Sequence, residues 1–202
     1  MLEQCLYLFK NRCPEDKWGF SPGFFGERAN KTKLMVVGNR ADIRVREKAQ
    51  ADLFVPKPND HKEAMRKSRT GMILGKMLRY SGLDYEDIYF TNVFKCLLIE
   101  DRDPTPEQYR QCEFNLMKQV RAFQPKGILV LGHQAYGAMF PIEARTESLE
   151  EWTGREKTYK DRPCLILNHP CKMMNTMSPE KRQAIYQDVK EFLQKYNIIG
   201  KS

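Results

Sequence analysis

The sequence predicts an α/β fold: a three-layer α/β/α sandwich around a central, mainly parallel four-stranded sheet. Three observations point there. Four short apolar runs read as strands, and stretches of helical periodicity separate them. The runs are apolar almost throughout instead of alternating with polar residues, as strands covered on both faces are.

The first run, Leu34-Met35-Val36-Val37-Gly38, follows polar Lys31-Thr32-Lys33 and stops at a glycine. From about Asp60 to Tyr80 the apolar positions Met65, Met72, Ile73, Leu74, Met77 and Leu78 predict a helix, over the second half at least, ended by Ser81-Gly82. Ile88-Tyr89-Phe90-Thr91-Asn92-Val93, rich in β-branched and aromatic residues, is the second strand. Pro104-Thr105-Pro106-Glu107 opens a helix carrying Tyr109, Cys112, Leu116, Val120 and Phe123 on one face. Gly127 to Gly132 is the third strand, followed by a short helix within His133 to Phe140. Cys164 to Asn168 is the fourth, running into His169-Pro170. A closing helix from Pro179 to about Tyr196 turns Ile185, Val189, Phe192 and Leu193 inward.

Composition bounds the function classes. The chain of 202 residues has 34 Lys+Arg against 26 Asp+Glu, a formal net charge of +8 that favours a polyanionic partner without conferring specificity. No apolar run approaches the length of a membrane span, and Met1 to Phe20 lacks the pattern of a secretory signal, so a cytoplasmic protein is expected. Its six cysteines are then thiols or metal ligands more readily than disulfides. Cys5, Cys13, Cys96 and Cys112, if they converge, suit zinc or an iron-sulfur cluster. Equally, Cys112 fills an apolar helix face and Cys5 is incidental.

In parallel sheets ligands bind beyond the carboxyl ends of the strands. Those ends are Gly38-Asn39-Arg40, Asn92-Val93-Phe94, Gly132-His133 and Asn168-His169-Pro170, and the polar groups among them point to one composite site. Met173, Met174 and Met177 follow a proline outside any helical pattern, so exposure in a loop is expected, although methionine more often fills a core.

In order along the chain, Leu34 to Gly38, Thr70-Gly71, Gly82-Leu83, Tyr89-Phe90-Thr91-Asn92-Val93-Phe94-Lys95-Cys96, Pro104-Thr105-Pro106, Cys112, Leu131-Gly132 and His169-Pro170 resemble the iron-sulfur, family 4 uracil-DNA glycosylases. The resemblance spans almost the whole chain. It implies one domain over residues 1–202, with residues 1–33 as a cluster-ligating segment and 41–68 as an insertion beside the pocket. It also implies an enzyme, working as a monomer, that flips a pyrimidine nucleotide out of DNA and hydrolyses its N-glycosidic bond to leave an abasic site. By the same likeness Cys5, Cys13, Cys96 and Cys112 hold a 4Fe-4S cluster. Cys13-Pro14 matches the family's second ligand, whereas the seven residues between Cys5 and Cys13 depart from the family's close spacing.

The roles implied for the site fit the chemistry. Asn92, an amide with donors and an acceptor, reads a pyrimidine edge. His169 donates a hydrogen bond to the departing base as the sugar becomes cationic. Backbone N–H groups after Gly132, at His133, hold a phosphate. Met173 and Met174, following Pro170, fill the hole left by the flipped nucleotide.

The first motif departs from the family: Gly38-Asn39-Arg40-Ala41-Asp42 stands where the family has Gly-Glu-Ala-Pro-Gly. The family's glutamate resembles a gate beside the pyrimidine C5. Asn39 is shorter and uncharged, so the wall beside Gly38 and Arg40 is expected to recede and admit a C5 substituent. Asn39 or Asp42 orients the attacking water. The 33 positions from Gly38 to Gly71 exceed the family's interval, and Phe54 is the nearest candidate for its stacking aromatic. Arg44, Arg46, Lys57, Lys62, Arg66 and Lys67 are either a solvated face or a grip on DNA or on a bulky base. The expected base is uracil, or a hydroxymethylated or glycosylated pyrimidine in phage DNA, which would make the protein a defence enzyme. The alternative is a catalytically silent iron-sulfur module that binds DNA lesions, motivated by loss of the glutamate.

Overall fold

A computed structural model describes residues 23–40, 58–95, 105–142, 144 and 149–200. Its six-stranded sheet comprises β1 (Phe24–Phe25), β2 (Leu34–Gly38), β3 (Ile88–Asn92), β4 (Gly127–Leu131), β5 (Glu156–Tyr159) and β6 (Arg162–Leu167), in the order β1-β3-β2-β4-β6-β5. The four expected strands form its centre, all parallel, with Gly38 opposite Asn92 and Leu131 opposite Leu167.

The four-stranded expectation therefore needs two additions, both antiparallel edges. Strand β1 is two residues long and carries no period. Strand β5, Glu-Lys-Thr-Tyr, has one buried residue, and its hairpin to β6 turns through Lys160 and Asp161, both at positive φ (48° and 62°). A two-residue loop of that kind is recognised in a sequence by Asn-Gly or Asp-Gly, which this chain does not use.

Helices cover both faces. On one side lie α2 (Pro58–Lys67), α3 (Arg69–Tyr80), α7 (Pro170–Thr176) and α8 (Pro179–Lys195). They pack Met65, Ile73, Leu74, Met173, Val189 and their neighbours on Leu34, Val36, Ile88, Phe90, Leu129 and Leu165. On the other side lie α1 (Ala29–Thr32), α4 (Pro106–Phe123), α5 (His133–Met139) and α6 (Leu149–Trp152), over Met35, Val37, Tyr89, Ile128, Val130 and Ile166. Alternate strand residues serve opposite cores, which is why each run had to be apolar throughout. Ile185, Val189, Phe192 and Leu193 face inward from α8, as periodicity required.

The helix expected within residues 60–80 is two helices. Ser68 ends one and caps the next, its Oγ accepting the Gly71 N–H at 2.9 Å. The expected stop is where the sequence put it: the Gly82 N–H donates to Arg79 C=O, and Gly82 has φ +74°. Among the described residues no helix is long and apolar enough to cross a membrane.

Candidate active site

Asn92 ends β3 on the face shared by Ile88 and Phe90, and its partner across the ladder is Gly38. A Cβ at position 38 would stand 2.7 Å from Asn92 Oδ1 and 3.2 Å from Phe90 Cζ. Glycine therefore makes room for the amide. Asn92 is 3% exposed, and its Oδ1 is buried with no hydrogen-bond partner among the described residues. An unpaired buried carbonyl oxygen costs about 1–3 kcal/mol, which a ligand N–H would recover. The main chain holds the tips together beyond the strands: Val93 N–H donates to Gly38 C=O and Phe94 N–H to Asn39 C=O.

His169 sits past β6 as the N-cap of α7, with Pro170 buried at the first helical position. Its Nδ1 accepts the Cys171 N–H at 3.3 Å, so in the neutral ring the proton is on Nε2. Burial lowers the His169 pKa, favouring that neutral form. Gly132, at φ +88°, lies directly behind: a Cβ there would stand 2.9 Å from His169 Cβ. Gly132 N–H donates to Leu167 C=O at 2.8 Å, tying the β4 and β6 tips together. A contact of 3.1 Å between Thr70 Oγ1 and Cys171 Sγ fastens the start of α3 to the start of α7. Asn92 and His169 thus share one edge and one face of the sheet, separated by three inter-strand steps, roughly 14 Å along the sheet.

Asn39 and Arg40 are half-buried. Asn39 Nδ2 donates to Gln134 Oε1 at 2.7 Å, a link from the β2 tip to the first turn of α5 that sequence reasoning missed. His133 is exposed and stacks on the buried Trp152 ring at 4.5 Å and 15°. Behind the sheet tip, the wholly buried Lys95 donates from Nζ to Thr91 Oγ1 (2.5 Å), Gln119 Oε1 (2.7 Å) and Asn92 C=O. Burial pulls the Lys95 pKa down to about 7, opposed by the Cys112 charge. Sequence reasoning missed Gln119, although a polar residue on the inward face of α4, seven positions after Cys112, is the signal that could have found it.

One expectation needs correction. Met173 is not exposed in a loop: it is the fourth residue of α7, 1% exposed and packed in the core under the sheet. A His-Pro pair supplying a cap and a first helical residue starts a helix here, and its first inward turn delivers Met173 to the core. Of the cations expected either on a solvated face or against DNA, Lys62 and Arg66 pair with Glu86 at 2.8 and 3.3 Å and Lys67 pairs with Glu63 at 2.6 Å, with Arg66 and Lys67 still exposed. Cys5, Cys13, Asp42, Arg44, Arg46, Phe54, Lys57 and Cys96 lie outside the described residues, as does the Met174 side chain.

The one described cysteine of the four-thiol set, Cys112, is buried, and its Sγ accepts the Lys95 N–H at 3.3 Å. A cysteine sulfur held in place by a backbone N–H is of the residue type that ligates zinc or an iron-sulfur cluster. Among the described residues no group of three or more ligating side chains converges.

Comparison with known families matches residues 25–190 to the uracil DNA glycosylase superfamily, and the chain belongs to that superfamily. The chain is 28% identical over 180 residues to the type-4 uracil-DNA glycosylase of Thermotoga maritima, covering 82% of this chain and 86% of that protein. It is 30% identical over 132 residues to that of Archaeoglobus fulgidus, covering 60% of this chain and 62% of the relative. With the Sulfurisphaera tokodaii type-4 uracil-DNA glycosylase it shares 24% identity over 82% of this chain and 71% of that protein. Members of the superfamily are DNA glycosylases, and this chain is an enzyme of that class.

Proposed function

We propose that this DNA glycosylase everts a pyrimidine nucleotide into the recess between Asn92 and His169 and hydrolyses its glycosidic bond without cutting the strand. The observation that carries this reading is the buried Asn92 Oδ1 with no partner among the described residues, on the same edge and face as a neutral, oriented imidazole. The N3–H of uracil is the donor such an oxygen lacks, and the Asn92 amide group donates in return to O4. His169 Nε2–H hydrogen-bonds the base carbonyl oxygen on which negative charge grows as the bond breaks. A neutral donor serves because it stabilises that charge without first surrendering a proton. Eversion costs a few kcal/mol, and the Met174 end of α7 is the segment assigned to filling the vacated stack. Gly132 and His133 meet the DNA backbone.

A second reading concerns the base. Asn39 stands in the gate position and its amide is engaged with Gln134, which supports a pocket open at C5. A C5-modified pyrimidine is then accepted beside uracil, and phage DNA bearing such bases would make the role antiviral; with uracil alone the role is base-excision repair. Asn39 or Asp42 positions the water.

Cys112, with Cys5, Cys13 and Cys96, is assigned to a 4Fe-4S cluster. When bound, that group contributes structural cross-linking and local negative charge. A purified protein that is brown and absorbs near 400 nm supports the cluster, and a colourless, zinc-bearing protein overturns it.

Oligonucleotides bearing uracil, thymine or C5-modified cytosines, assayed for alkali-labile abasic sites, test the reading. Asn92→Ala and His169→Ala should abolish release while DNA binding persists. Normal turnover by either variant removes the site assignment. Binding without release on every substrate favours a silent lesion-binding module.

A further inference from the structure

A fully buried lysine lies directly behind the base-reading strand tip, and the chemistry above does not use it. In its protonated form the side chain carries three N–H bonds, and the described residues present three oxygens: Thr91 Oγ1, Gln119 Oε1 and the Asn92 carbonyl. No carboxylate among the described residues pairs with it. The count is complete, and a satisfied buried network of this kind fixes geometry where a looser one would not.

Among the described residues, the Asn92 carbonyl finds its donor in Lys95 and not in a neighbouring strand. Along β3, Ile88 C=O accepts from Gly26 N–H on the outer side. Alternation turns Asn92 C=O to the same side four residues later. Strand β1 pairs only as far as Phe90, so no described strand residue reaches the Asn92 carbonyl. Among the described residues, Lys95 Nζ is the donor that meets this carbonyl. Its own backbone N–H meanwhile donates to Cys112 Sγ, so one residue spans from the base-reading tip to the thiol of α4. Thr91 faces α4 and Asn92 faces the opposite layer, so the fastening lies on the side of the sheet away from the proposed base site.

We infer that Lys95 is a positioning residue for base recognition, its side chain clamping the Asn92 carbonyl to Thr91 and Gln119 so that the Asn92 amide is held in place before a base arrives. The inference rests on the reading of Asn92 as the base-binding amide. Lys95→Met removes the ammonium and keeps the stem volume and the backbone donor to Cys112.

The test compares affinity for a duplex carrying one non-cleavable 2′-fluoro-2′-deoxyuridine with affinity for the same duplex unmodified. Lys95→Met should lower that ratio by about tenfold, since misplacing a binding group by a fraction of an ångström is felt at that scale. Its affinity for unmodified duplex and any absorbance near 400 nm should stay close to wild type, while its melting temperature falls because buried acceptors lose their donor. An unchanged ratio overturns the inference, including one in which the affinities for both duplexes fall together. If Lys95→Met does not fold, Gln119→Leu and Thr91→Val each remove one of the clamp's other acceptors. Each should lower the ratio by a smaller factor, and a wild-type ratio in both overturns the inference. A wild-type protein without any preference for the modified duplex instead defeats the reading of Asn92 and this inference with it.

Discussion

Gly38→Ala separates the site from the fold better than any other single change. The added methyl would stand 2.7 Å from Asn92 Oδ1, and ordinary contact begins at 3.4 Å, so the amide must retreat by about 0.7 Å. A displacement of about 1 Å in a reacting constellation costs about a hundredfold in rate, so a loss of roughly 10- to 100-fold in base release is expected. That corresponds to about 1.4–2.7 kcal/mol of transition-state stabilisation. Stability should move little. The backbone at position 38 is not in the left-handed region, and alanine recovers roughly 0.5–1 kcal/mol over glycine within a strand. That gain offsets the pressure on Phe90 Cζ at 3.2 Å. Single-turnover release from a uracil-containing oligonucleotide, run beside a thermal melt, reads both quantities. Wild-type release by Gly38→Ala would refute the packing argument, and so would a rate loss matched by unfolding at the assay temperature.

Other perturbations probe the remaining parts. His169→Gln should lower release by about 10²- to 10³-fold, as removal of a preorganised donor does. Because burial depresses the His169 pKa, the unfolded chain binds more protons between that lowered value and the ordinary histidine value. Stability therefore rises with pH across this window, and acid both protonates Nδ1 and breaks its bond from Cys171 N–H. The acid limb of kcat should lie below pH 6.5 and be absent in His169→Gln. Met173→Ala should cost about 2–5 kcal/mol in a denaturant melt and impair duplex and single-stranded substrates alike, whereas Met174→Ala should impair the duplex selectively. Glu86→Ala should cost about 1 kcal/mol without altering the salt dependence of DNA binding, because Lys62 and Arg66 serve the fold. The Glu86 carboxyl lies below its ordinary pKa chiefly through Lys62. Its contribution is therefore present above the ordinary glutamate value and lost as pH falls through the lowered one.

The four central strands, the long helices and the gathering of polar residues at the strand ends were all legible in the amino-acid order. Each rests on a local pattern: a continuous apolar run, a 3.6-residue period, a residue type following the last apolar one. The Asn92 and His169 positions were found in this way. The edge strands were not, because Phe24–Phe25 is too short to show a period and Glu156–Tyr159 is mostly polar. Burial of Met173, pairing of Lys62 and Arg66 with Glu86, and the bond from Asn39 to Gln134 were decided by tertiary structure alone. Those partners lie 20 to 95 positions apart in the chain, or on a core face set by neighbouring helices. Local periodicity specifies which side of an element is apolar. Which groups then meet depends on how separately formed elements dock, and only the packed molecule determines that.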